Sequence, residues 1–133
     1  MAITAMTDIV SDLNPHIHEF YVNGSTIAGA LVYMSELNGV SMTSNGSQSF
    51  KGVALDSVAD NHYVSVAVPP TVVYMTLSST SNVSAGSFLM ASTTVGDAIL
   101  ADNGPTVVVG QVEDFYSSSI VRVQLMCVPN ASF

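Results

Sequence analysis

Positive charge is what this chain lacks most. Its 133 residues hold two bases, Lys51 and Arg122, against ten acids, and the formal net charge is -8. Without a basic stripe to displace counterions from phosphate, the chain is not expected to bind DNA or RNA, and an anionic membrane is disfavoured for the same reason. Cysteine is nearly absent too. Cys127 stands alone, so no disulfide framework can form within the chain, and its place in an alternating apolar run predicts a small buried hydrophobe. The N-terminus lacks both a basic region and an apolar core of signal-peptide type, and no run approaches the ~18 apolar residues of a membrane-spanning helix. Charged residues make up only 9% of the chain. Disordered chains, however, are poor in apolar residues, and here 48% are hydrophobic, enough for one domain with a core.

The polar balance is Ser, Thr and Asn, which with Val and Tyr favour strands and turns. Four Asn-x-Ser sequons, at Asn23, Asn45, Asn82 and Asn130, read as Asn/Ser-rich loops. Residues 1–18 stand apart, with no sustained period of 2 and with Pro15 ending any short turn that Thr7 caps. They read as an extended arm, apolar enough to dock and too short to fold alone. From Glu19 onward, hairpin punctuation takes over. Asn-Gly pairs at 23–24, 38–39, 45–46 and 103–104 suit turn positions needing φ > 0. Tyr63–Val68 and Ile120–Val128 alternate, placing Val64, Val66 and Val68, and then Val121, Val123, Leu125 and Cys127, on single faces. The runs 71–75 and 106–109 are nearly continuous apolar stretches, as expected of strands covered on both sides. No segment keeps a 3.6 period long enough for a helix.

A repeat runs through these strands. The first unit reads Gly29-Ala30-Leu31-Val32, Gly39, Asn45-Gly46, Gly52-Val53-Ala54-Leu55-Asp56, then Val64-x-Val66-x-Val68. The second reads Gly86-Ser87-Phe88-Leu89, Gly96, Asn103-Gly104, Gly110-Gln111-Val112-Glu113-Asp114, then Val121-x-Val123-x-Leu125. Two such units can close on each other around one shared core, which predicts an all-β fold: a small β-barrel or β-tulip-like domain over 19–133 behind the arm of 1–18.

Over roughly residues 22–128 this pattern resembles the capsid decoration (cement, or head-stabilisation) proteins of tailed phages. The second copy departs from it, with Gln111-Val112-Glu113 in place of Val-Ala-Leu. The resemblance implies a homotrimer on the outer surface of the capsid, with the major capsid protein as partner and the arm lying on the shell. The expected shell contacts are Ile3, Met6, Ile9, Val10 and Leu13. Net acidity fits the outside of a capsid better than its DNA-filled interior. The alternative is a head-fibre or tail-associated module that binds a receptor or glycan, for which exposed aromatics lining a groove would be the mark.

Nothing in the sequence calls for catalysis, a cofactor or a metal. His16-x-His18-Glu19 places two imidazoles on one strand face but offers no third ligand nearby, so solvated polar residues are the plainer reading. Asp97–Gly104 lacks the alternating acids of a calcium loop and reads as a hairpin. Asp56 with Asp60, and Glu113 with Asp114, fall after the Gly-led strands in equivalent places of the repeat, where solvated loops account for them. His62 follows Asp60, but no Gly-x-Ser-x-Gly elbow exists to supply a nucleophile. Most of the seven methionines are expected to fill core gaps.

Overall fold

The structure, a computed structural model, describes residues 16–102 and 106–129. Among these every regular element is a strand. Strands β1 (Ile17–Val22), β2 (Leu31–Glu36), β3 (Gly39–Met42), β4 (Phe50–Ala54) and β5 (Tyr63–Ala67) form a closed barrel in the order β1-β3-β2-β4-β5. Strands β6 (Val72–Thr76), β7 (Phe88–Ala91), β8 (Ala98–Leu100), β9 (Val108–Phe115) and β10 (Ile120–Val128) form a five-stranded sheet in the order β6-β10-β9-β7-β8. A parallel bridge between Leu77 and Ala98 brings the end of β6 against β8, just as β1 runs parallel to β3 at Val22 and Val40 in the barrel. The two halves therefore share one topology.

The repeat extends to individual hydrogen bonds. Gly29 N–H donates to the Ala54 carbonyl and Gly86 N–H to that of Val112; Val22 N–H donates to His62 and Leu77 N–H to Ser119. Gly29 and Gly86 both take left-handed backbone, at φ 87° and 90°, which a side chain would resist. Of the Asn-Gly pairs, 23–24 and 38–39 behave as expected, with positive φ at Gly24 and Asn38. Asn45-Gly46 does not. There the Asn45 side chain accepts from the Ser47 N–H at 3.0 Å, a local turn that removes the need for positive φ. The fourth pair is not within the described residues.

The expected single shared core is instead two. Phe20, Val22, Val32, Val40, Ala54, Val64, Val66 and Val68 fill the barrel. The matching positions of the second half, among them Met75, Leu77, Leu89, Val112, Val121, Val123 and Leu125, join a larger cluster that also takes in Leu31, Phe50, Val53 and Ala67 from the outer face of the barrel. Two cores arise because strand alternation gives the barrel two apolar faces, one inward and one toward its twin. Neighbouring Leu31 and Val32, both wholly buried, serve one cluster each.

Two other expectations are corrected. Cys127 is exposed, not buried. The pairing of β10 with β9 shifts register between Leu125 and Val128, so alternation ends at Leu125 and the thiol turns outward, its Sγ 3.6 Å from the Phe50 carbonyl oxygen. Ile17 and His18, assigned by sequence to the arm, pair with Ala67 and Val66 as part of β1. The Thr71 hydroxyl holds the chain where it enters: it accepts from the His16 N–H at 2.8 Å and donates to the His16 carbonyl at 3.2 Å, fixing the root of the arm at the link between the halves.

Thr43 is wholly buried, and its hydroxyl has no partner while its backbone is fully engaged with Leu31 and Gly96. Replacing it with the isosteric Val removes a desolvated polar atom. Thr43→Val is expected to raise stability by about 1 kcal/mol, read as a higher melting temperature. A lower one would show that the hydroxyl is paired.

Candidate functional site

The five expected shell contacts, Ile3, Met6, Ile9, Val10 and Leu13, lie outside the described residues. His18 packs tilted against Phe20, with ring centroids 6.3 Å apart, and Glu19 pairs with Ser65. Among the described residues no three His, Cys, Asp or Glu side chains gather as a metal would require. Asp60 accepts from the Gly24 N–H at 2.9 Å and so ties the 56–60 loop to the 24–28 loop. In the same pair of loops Thr26 and Val58 form a bridge, and Ser57 accepts from the Ala28 N–H. Asp56 and Asp60 thus sit in a closed loop arrangement. Ala98–Leu100 is strand β8, paired antiparallel with β7, while Asn103-Gly104 of the expected hairpin lies outside the described residues.

Asp97 lines a small cleft of about 70 Å³ between the halves, with Ile27, Met42, Thr76 and Val95 around it. Burial pushes its carboxyl above the usual range. Ile27 and Val95 are 61% and 55% exposed, which makes this an apolar rim at the junction.

A second, larger concavity is on the outer face of the second half. Tyr74 on β6, Arg122 on β10 and Asp114 on β9 lie directly across from one another, Arg122 pairing with Tyr74 on one side and Asp114 on the other. Between Asp114 and Val112, which pair with Arg122 and Val123, Glu113 is an extra residue, so β9 bulges there. A bulge re-aims side chains; this one sets two consecutive acids beside one guanidinium, and Glu113 Oε1 accepts from Arg122 Nε at 3.1 Å. Tyr116, in the turn after β9, meets Tyr74 edge to face with ring centroids 5.2 Å apart. Tyr74, Asp114, Phe115, Tyr116 and Arg122 line an open groove of about 210 Å³.

Sequence reasoning named Glu113 and Asp114 but missed this assembly, because residues 74, 114 and 122 come together only through strand pairing. The available signal was the Gln-Val-Glu departure in the second repeat, which falls on the bulged strand.

No family's sequence profile matches the chain, and no curated protein matches it in sequence. In three dimensions it is similar to the head fibre gp8.5 N base of bacteriophage phi29. The TM-score is 0.62 at 14% identity, covering 90% of this chain and 98% of the other. The two share an all-β fold.

Proposed function

We propose that this protein is a structural component of a phage head, seated on the outer surface of the major capsid protein shell as a homotrimer and stabilising it by bridging neighbouring subunits. The observation that carries this reading is the fold shared with a head-fibre base across nearly the whole of both chains. Shell and bound protein then stabilise each other by linkage.

Anchoring falls to the arm. Ile3, Met6, Ile9, Val10 and Leu13 supply apolar area worth roughly 25 cal/mol per Å² when covered, against about 1–2 kcal/mol per residue for ordering the backbone. Deleting residues 2–15 is expected to leave the β-domain folded and to weaken binding to undecorated capsids by at least about tenfold, or 1.4 kcal/mol. Co-sedimentation titrations of both forms on capsids, with thermal melts and sedimentation velocity alongside, make the test. Unchanged affinity would remove the arm as anchor, and failure of the full chain to bind shells would overturn the reading.

A second reading, a head-fibre or tail-associated module that binds a receptor or glycan, is favoured by one observation: the aromatic groove of the second half.

A further inference from the structure

We propose that the groove formed by Tyr74, Tyr116, Phe115, Arg122 and Asp114 is a binding site for a single neutral sugar ring, a hexose or N-acetylhexosamine at the end of a glycan. The inference stands on the groove alone and holds wherever the protein is seated.

The first argument is the divergence between the repeats. In the barrel, the place of Tyr74 opposite Arg122 is taken by Glu19 opposite Ser65. There the chain after β4 folds in and is tied down by the Thr26–Val58 bridge and by Asp60. In the second half the same stretch instead extends β9 to Phe115 through the bulge at Glu113. One scaffold, used twice, thus carries this bulged strand and its groove in the second copy. The barrel closes without that bulge, and its own tyrosine pair, Tyr21 with Tyr63, has the Tyr21 hydroxyl tied to Asn61 Oδ1 at 2.9 Å instead of left at the edge of a groove.

The second argument is chemical. A pyranose has an apolar C–H face and a rim of hydroxyls that both donate and accept. Angled tyrosine rings supply a rigid apolar surface with polar tips. Arg122 is held through Nε by Glu113, which leaves its terminal NH2 groups to donate as a fork. The Asp114 carboxylate, held by one bond from the Phe115 N–H at 2.8 Å, accepts. A donor fork and an acceptor beside an aromatic wall match a pair of adjacent hydroxyls.

Charge and size narrow the ligand. The groove's one base, Arg122, is already paired with Glu113, its one lining acid is Asp114, and the chain carries a net charge of -8, all of which disfavour uronic and sialic acids. At about 210 Å³ the groove is smaller than the ~300–1,000 Å³ of sites that enclose drug-sized ligands, so it takes one ring. A protein partner would need about 800 Å² of its own surface covered, and a concavity lined by five residues is a poor centre for that.

The test is an NMR titration of the full chain with cellobiose, maltose and chitobiose, using glucuronate as the anionic comparison. At least one neutral disaccharide is expected to bind with a Kd of ~1 mM, as is usual for a site of a few contacts. The shifted amides should centre on Tyr74, Asp114, Tyr116 and Arg122, with glucuronate weaker. Tyr116→Ala should weaken binding at least about tenfold with an unchanged melting temperature, because Tyr116 lies in an exposed turn. No binding by any of the three sugars, shifts elsewhere, or full affinity in Tyr116→Ala would overturn the proposal. So would loss of capsid co-sedimentation in Tyr116→Ala without any sugar response, which would make the groove a protein contact.

Discussion

Gly52→Ala is expected to destabilise the protein by about 3 kcal/mol and to lower its thermal midpoint by roughly 10 °C. At Gly52 the barrel strands approach so closely that a Cβ would press into the Ala67 carbonyl oxygen and the Val66 side chain. The carbonyl belongs to the β4–β5 ladder and cannot withdraw without breaking pairing on both sides of it. Gly110 holds the equivalent place in the second half, where the first obstacle is the Val123 Cγ1 methyl, with the Gln124 carbonyl oxygen 3.0 Å away. A methyl can rotate or shift, so Gly110→Ala should cost less. A Cβ added at Gly24 would meet nothing within 4 Å, and Gly24→Ala is left with only the penalty of its positive φ, about 1 kcal/mol. Chemical denaturation of the three variants checks the order. A Gly52→Ala protein as stable as the parent would mean that β4 and β5 are not this close.

Leu31→Ala is the second large effect, expected at about 2–5 kcal/mol, the range for deleting a buried leucine and leaving a cavity. Leu31 is wholly buried and, although it starts a barrel strand, packs in the cluster centred on the second half. Its N–H also donates to the Gly96 carbonyl at 2.9 Å, across the junction. Further bonds join the halves, from the Gly96 N–H to the Thr43 carbonyl and from the Val107 N–H to the Gly46 carbonyl. The loss should therefore reach both halves, and calorimetry of parent and variant should each show one cooperative transition. Two resolved transitions would make the halves independent units.

The parts of the fold legible in the sequence were those governed by period and punctuation. Val64, Val66 and Val68 alternate because one side of their strand faces a dry barrel, and the duplicated Gly-led strands predicted two units of one design. What escaped notice depended on the second face and on register. Ala67 looks like the outward partner of those valines, yet it is buried, because the outside of the barrel is itself a packing surface. Cys127 shares its pattern with Leu125 but lies beyond a register shift that no composition signals. The groove was least legible of all, because it rests on a one-residue bulge and on pairing across β6, β10 and β9. Its acids were visible, but the tyrosines that give them a context were far away in the chain.

The closure of the barrel bears on life at high density. An open sheet has backbone donors and acceptors along its rim, and another copy can add to them strand by strand. Here the barrel strands have paired neighbours on both sides, and the rim of the second sheet is drawn together where Leu77 meets Ala98. A second copy therefore finds no free barrel edge to extend strand by strand. Such a barrel can reach high concentration without its own backbone seeding a fibre.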